Sequence, residues 1–291
     1  MIGPLAIAFP NIDPVALHVG PLAIRWYGLA YVAGIAGAWL VLRDLVRRWE
    51  LGWTLDDELT IVLAAAIGIV AGGRLGYVIF YNPAYYLGHP LQIFAIWDGG
   101  MSFHGGLAGM VAAGLVVARM LRTPFLTLAD VAAVGVPIGL FFGRLANFVN
   151  DELWGRVTHV PWAVVFPNGG PAARHPSQLY EAFLEGIVLF AVLWVMSRRA
   201  RPRGLLFGVL LAGYGVARIF VEFFRQPDAQ IHFLPSWVTM GQLLSLPMVV
   251  AGAWLVWWAS RPGVPLDGPS PAAPAPSAGS AEETAREQKA L

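Results

Sequence analysis

A chain of 291 residues that is 57% hydrophobic and only 13% charged cannot clothe a water-soluble surface, for which about 25% charged residues are usual. With a mean hydropathy of +0.61 and 12 Trp, it reads as an integral membrane protein. The net charge of +1 hides an asymmetry, because every one of the 19 basic residues except Lys289 is Arg, a cation that keeps its charge when buried and grips phosphate bidentately. Cys is absent, which excludes disulfides, zinc–thiolate sites and an enzyme-borne thiol nucleophile.

Hydropathy predicts an all-α polytopic fold with seven spans, at about 22–42, 59–80, 104–121, 128–149, 178–197, 204–224 and 238–260, each near the ~20 residues that cross a bilayer. No basic stretch precedes the first apolar residues, so no cleaved signal peptide is expected. Ten arginines (43, 47, 48, 119, 122, 198, 199, 201, 203 and 261) fall on one side, against Arg25, Arg156, Arg174 and Arg225 on the other. The positive-inside rule then puts the N-terminus outside and the C-terminus in the cytoplasm. Residues 1–261 form the seven-span domain. Within it, residues 150–177, rich in Pro, Gly and Trp, form an external loop or cap. Residues 262–291, rich in Pro, Ala and Ser, cannot bury a core and are expected to be a disordered cytoplasmic tail.

Ionisable groups within spans are costly and ask for a reason. Arg74, Arg144 and Arg218 lie in the outer thirds of spans two, four and six, and His104 and Glu181 open spans three and five at the same level. Tyr27 opens span one beside Arg25; Tyr214, Arg218 and Glu222 follow one another one turn apart on span six. Arg25 and Arg74 fit equally well as snorkelling anchors, and Arg218 with Glu222 as a structural pair. Convergence from six helices favours a site at headgroup depth, and three arginines in a poorly hydrated place suit an oxygen-rich anion such as a phospholipid phosphate.

Four segments carry the strongest local signals: GRLANFVNDELWGR at 143–156, FHGGLAGM at 103–110, RHPSQLYE at 174–181 and YGVARIFVEFFRQPDAQ at 214–230. The two glycines after His104 permit close backbone approach to a ligand. Together with WYGLAY at 26–31, WDGGMSFHGG at 97–106 and TMGQ at 239–242, these segments resemble the bacterial prolipoprotein diacylglyceryl transferases over residues 10–260. Ala146 stands where the family motif usually has Gly, a small-for-small change. The resemblance implies a seven-span enzyme of the bacterial cell (inner) membrane with its active site toward the outer leaflet. It would move the diacylglyceryl group of phosphatidylglycerol onto the lipobox Cys of a prolipoprotein signal peptide, leaving a thioether and glycerol phosphate. No cofactor, metal or nucleic acid is implied.

That chemistry needs cations for the leaving phosphate, a role assigned to Arg144 and Arg218, with Glu152 or Glu222 as carboxylates that aim them. The thiol proton needs a base: His104 titrates in the right range, and Tyr27 is the second candidate. Asn147 can donate to a headgroup oxygen, Glu152 orients Arg144 or Asn147, Gly155 acts through conformation, and Tyr214 completes the lipid site. His175 and Ser177 lack the partners of a hydrolase, and the six His are scattered singly. A transporter would need polar groups through both halves of the bilayer, whereas the inner halves here are apolar apart from Asp130; Glu185, one turn deeper than Glu181, fits the transferase reading least. Ser102 is too close to His104 for an intramembrane protease dyad, and a non-enzymatic lipid scaffold would tolerate loss of His104 and Tyr27.

Overall fold

The computed structural model describes residues 6–10, 12–20, 22–226 and 239–268. Its long helices are α1 (Trp26–Arg48), α2 (Leu55–Phe80), α4 (Phe103–Met120), α5 (Phe125–Val149), α8 (Leu205–Glu222) and α9 (Met240–Ala259). The fifth predicted span is one continuous rod in three parts: α6 (Ser177–Glu181), a π-helical stretch (Ala182–Val188) and α7 (Leu189–Met196). The short α3 (Pro83–Gly88) lies between α2 and α4. Among the described residues six rods are long and apolar enough to cross a membrane, and in α4 the apolar part is the shorter Gly105–Met120. Their outward faces carry exposed Leu63, Ile67, Val192 and Val250, as lipid-facing surfaces do, and the chain is a mostly helical, multi-pass membrane protein.

The all-helical expectation needs one amendment. Six short strands, β1 (Ile7–Ala8), β2 (Val15–Val19), β3 (Leu22–Arg25), β4 (Val164–Val165), β5 (Arg201–Pro202) and β6 (Leu266–Asp267), pair as β1 with β4 in parallel, β2 with β3 and β5 with β6 antiparallel. The first pair ties the N-terminal segment to the loop after α5, and the second feeds directly into α1. The third pair bears on the expected tail: Leu266–Asp267 is held as a strand, and Asp267 accepts from Arg203 Nε at 3.1 Å and Thr127 Oγ1 at 2.7 Å. The tail expected from residue 262 is therefore docked as far as Asp267, and residues 269–291 lie outside the described part.

Helix starts follow local chemistry. Thr54 and Asp57 form a reciprocal capping box on α2, and Thr239 and Gln242 form another on α9, so the TMGQ segment is a helix-start signal. Neighbouring rods meet through glycine. A Cβ added at Gly68 would lie 2.6 Å from the Gly109 carbonyl oxygen, and one at Gly72 2.3 Å from that of Gly105. Hence α2 and α4 touch backbone to backbone along a small-residue seam. Gly208 and Gly252 do the same for α8 and α9.

The driest packing lies where α1 and α7 end and α5 and α8 begin, around Leu45, Val131, Val134, Leu193 and Leu206. Asp130 of α5 is buried there, and its carboxylate accepts from Gly204 N at 2.6 Å and Phe207 N at 2.7 Å. It thus satisfies the first amides of α8, which Gly204 enters at φ +85°. Asp130→Ala orphans both donors and is expected to cost about 2–4 kcal/mol. Thermal unfolding of the detergent-purified variant reads this directly, and a midpoint equal to that of the unaltered protein contradicts it.

Candidate active site

Charged side chains gather at the opposite end of the bundle. α5 supplies Arg144 and, one turn on, Asn147; α6 and the π stretch supply Glu181 and Glu185; α8 supplies Tyr214, Arg218 and Glu222 at four-residue spacing; Arg225 follows α8. Spacings of three and four keep each set on one helix face, and α5 packs against both partner rods. Glu181 stands at the centre. Its Oε2 is 3.1 Å from Arg144 Nε, its Oε1 is bound by Arg218 Nη1, and the same Oε1 lies 3.4 Å from Arg225 Nη1. Glu185 Oε2 is 3.5 Å from Arg144 Nη2, and Glu222 Oε1 is 2.5 Å from Arg218 Nη2.

Burial divides these groups into two tiers. Glu181 and Glu185 are fully enclosed, whereas the side chains of Arg144 and Arg218 keep 16% and 12% of their surface open. The carboxylates form a floor, and the two guanidinium groups pack on it, each side chain keeping a small part of its surface open. Such an arrangement fixes cations where they can meet an anion without first reorganising. Tyr214 is buried within electrostatic reach of Arg144, Arg218, Glu181 and Glu185. Among the described residues these ion pairs join three Arg and three Glu, so the pairs carry no excess positive charge.

A second network stitches the loop after α5 to this floor. Asn147 Nδ2 donates to Glu152 Oε1 at 2.8 Å, and Gln178 Nε2 to the Glu152 carbonyl at 2.6 Å. Gly155 N donates to the His175 carbonyl at 2.8 Å, Arg156 N to that of Phe224 at 2.8 Å, and Gly155 bridges antiparallel to Arg225. Three chain segments thus cross at Gly155, where an added Cβ would lie 2.6 Å from His175 Cβ, the His175 carbonyl and the Phe224 carbonyl. Asp151 accepts from Asn168 N at 2.5 Å; burial raises its carboxyl above the usual range, and this bond opposes the rise. Burial lowers the His175 imidazole, whose Nδ1 is 3.1 Å from the Tyr180 hydroxyl. Ser177 N donates to the His175 carbonyl at 2.8 Å, but Ser177 Oγ donates to the Leu153 carbonyl, so the two side chains are not joined.

Of the residues expected at the site, Arg144, Arg218, Glu222 and Tyr214 come together, with Asn147, Glu152 and Gly155 in the adjoining network. Glu152 takes Asn147 and not Arg144, whose carboxylates are Glu181 and Glu185. Tyr27 is half-exposed at the start of α1, its hydroxyl 3.1 Å from that of Tyr31 and within electrostatic reach of Glu152 and Arg144. His104 sits in the first turn of α4, which Ser102 caps; the His104 side chain lies outside what is described.

Two expectations are overturned. Gly105 and Gly106 face α2, at Gly72, Gly76 and Ile69, so they serve helix packing rather than approach to a ligand. Arg74 stands apart from the other two intramembrane arginines. It donates to the carbonyls of Gln92 (2.6 Å), Ile93 (2.9 Å), Gly99 (2.5 Å) and Gly100 (3.1 Å), and its guanidinium lies over Tyr86. It pins the segment between α2 and α4. Sequence reasoning also missed Arg225, counted there only as an outer topology charge; its place in the FFRQP run directly after Glu222 was the available signal.

The family model described as "Prolipoprotein diacylglyceryl transferase" matches residues 14–258. A phosphatidylglycerol–prolipoprotein diacylglyceryl transferase of Brucella anthropi is 53% identical over 270 residues, covering 88% of this chain and 95% of the relative. Those of Brucella ovis and Brucella abortus are 54% identical with the same coverage. With the family model spanning most of the chain and relatives above half identity along nearly their whole length, the chain belongs to the prolipoprotein diacylglyceryl transferase family.

Proposed function

We propose that the chain transfers the diacylglyceryl group of phosphatidylglycerol to the lipobox Cys thiol of prolipoproteins, the first step of bacterial lipoprotein maturation. The observation that carries the assignment of the site is the sharing of Glu181 by Arg144 and Arg218, which fixes two cations from different helices beside each other. The phosphate of the lipid sits on these two. The thiolate sulfur forms a bond to the glycerol carbon, the carbon–oxygen bond to phosphate breaks, and glycerol phosphate leaves with the electron pair. Arg144 and Arg218 stabilise the charge that develops on the departing oxygen. Glu222 aims Arg218, Asn147 (itself held by Glu152) donates to a headgroup oxygen, Tyr214 lines the lipid pocket, and Gly155 lets the loop close over it. A free Cys is mostly a thiol at neutral pH and needs a base. His104 is the first candidate for that proton and Tyr27 the second. With no Cys in the chain, the acyl-glycerol group passes directly from lipid to acceptor.

In the bilayer the reading has α4 crossing as a seventh span, the N-terminus outside, the C-terminus in the cytoplasm and the site at the outer leaflet of the inner membrane. The arginine distribution supports that orientation. The test mixes the detergent-purified protein with phosphatidylglycerol and a signal peptide carrying a lipobox Cys. A gain of one diacylglyceryl group on the peptide, read by mass spectrometry, is expected. Both substrates bound with no gain would instead identify a lipid-binding scaffold. In the same assay His104→Gln and Tyr27→Phe separate the two base candidates: the true base loses about 10²–10⁴ in turnover, and the other variant keeps most of it.

A further inference from the structure

The proposed lipid carries one negative charge on its phosphodiester, and among the described residues the ion pairs that would receive it have no excess positive charge to offset it. Adding the anion alone would leave a net negative charge in a poorly hydrated place, which is costly. One carboxylate is far less well held than the others. Glu181 meets Arg144, Arg218 and Arg225, and Glu222 meets Arg218 at 2.5 Å. Glu185 is fully enclosed, its contact to Arg144 is 3.5 Å, at the outer limit of hydrogen bonding, and among the described residues neither of its oxygens meets a well-aligned donor. It lies on the π-helical stretch, a backbone form frequently found at functional positions. The groups facing it are Arg144 from α5, Arg218 and Tyr214 from α8, and Glu181 on its own rod.

We propose that Glu185 takes up one proton when the phosphate of the lipid engages Arg144, so that binding adds no net charge to the site. This rests on the phosphate-clamp reading above. A phosphate oxygen drawn to Arg144 competes for the guanidinium that is the nearest cation to Glu185. The ionised carboxylate would then face two negative neighbours, the phosphate and Glu181, with its ion pair weakened. A proton from solvent on one Glu185 oxygen converts it to a neutral acid, so the balance is lipid anion plus proton in. When the product anion departs, the proton leaves and Glu185 recaptures Arg144. Glu185 is thus a positioning residue that acts through Arg144 and touches no reacting atom.

The experiment is calorimetric binding of phosphatidylglycerol in dodecyl maltoside mixed micelles to the full chain, in HEPES and in Tris at equal pH, whose different ionisation heats report protons exchanged. The unaltered protein should take up about one proton per lipid between pH 8 and 9, and the KM for lipid should climb about tenfold per pH unit on this alkaline side. Neutral diacylglycerol should bring none. Glu185→Gln, already neutral and nearly isosteric, should abolish the uptake and flatten the KM profile, while Glu185→Asp should retain the pH dependence. No uptake by the unaltered protein overturns the proposal without any variant. Uptake that persists in Glu185→Gln assigns the proton elsewhere and overturns it equally. If Arg144→Ala and Arg218→Ala still bind the lipid normally, the clamp itself is wrong; an intact clamp without proton uptake sinks only the role of Glu185.

Discussion

Arg144→Ala and Arg218→Ala should each lower transferase turnover by about 10²–10³, the usual cost of removing one preorganised donor from a developing anion. The reason is geometric. Each guanidinium is held in place by carboxylates while its side chain keeps a small part of its surface open. Arg74 is committed to four carbonyls of the segment between α2 and α4. Each deletion also strands a buried negative charge: without Arg144, Glu185 has no ion pair at all among the described residues. The losses should be non-additive in the double variant, because both cations share Glu181. Arg→Lys at either position should restore charge but not the two-point grip, leaving most of the loss in place. Turnover by peptide mass gain, set against the thermal midpoint of each variant, separates chemistry from folding. Full turnover in Arg144→Ala ends the phosphate-clamp assignment.

Gly155→Ala should be as damaging although it adds a single methyl group. Its new Cβ would overlap two carbonyl oxygens and the His175 Cβ at 2.6 Å, all belonging to backbone or to the root of a side chain, so no rotamer change relieves it. The neighbouring segments must part, which typically costs 1–3 kcal/mol or somewhat more. The parting would break the Gly155–Arg225 bridge and the Arg156 bonds to Phe224 and Arg225. That displaces Arg225 from Glu181 and loosens the floor under both clamp arginines. The expected result is at least a 100-fold loss of kcat/KM, about 2.7 kcal/mol in transition-state terms, with the helical content of the chain unchanged by circular dichroism. An active, normally stable Gly155→Ala protein would show that the crossing can open harmlessly.

Much of the framework was legible because membrane burial leaves so few charges. With 13% charged residues, each intramembrane one is informative, and the four-residue steps from Tyr214 to Glu222 placed one face of α8 without any structure. The pairings were not legible. Nothing in the sequence says that Arg144 meets Glu181 and Glu185 on another rod rather than Glu152 eight residues on; that is decided by how α5 and α6 pack. Gly105 and Gly106 were misread for a related reason, since a pair of glycines looks the same whether a ligand or a helix approaches. The four-residue spacing of Gly68, Gly72 and Gly76 against Gly105 and Gly109 would have identified a helix seam. Depth alone left Arg74 open between a site cation and a snorkelling anchor, and its partners are backbone carbonyls, which every residue possesses and no sequence pattern marks. The docking of Asp267 escaped detection because composition speaks for the tail as a whole and not for one carboxylate opposite Arg203.

The Asp130 cap has a reach far beyond its own end of the bundle. Arg144 lies fourteen residues along α5 from Asp130, and Arg218 lies fourteen along α8 from Gly204, whose amide Asp130 holds. At about 1.5 Å per residue both distances are about 21 Å. The two helices run in the same direction as rails of equal length, bolted together at one end, and their arginines therefore arrive level at the other. The level at which Arg144 and Arg218 stand is thus measured from a carboxylate about 21 Å away, at the other end of the bundle.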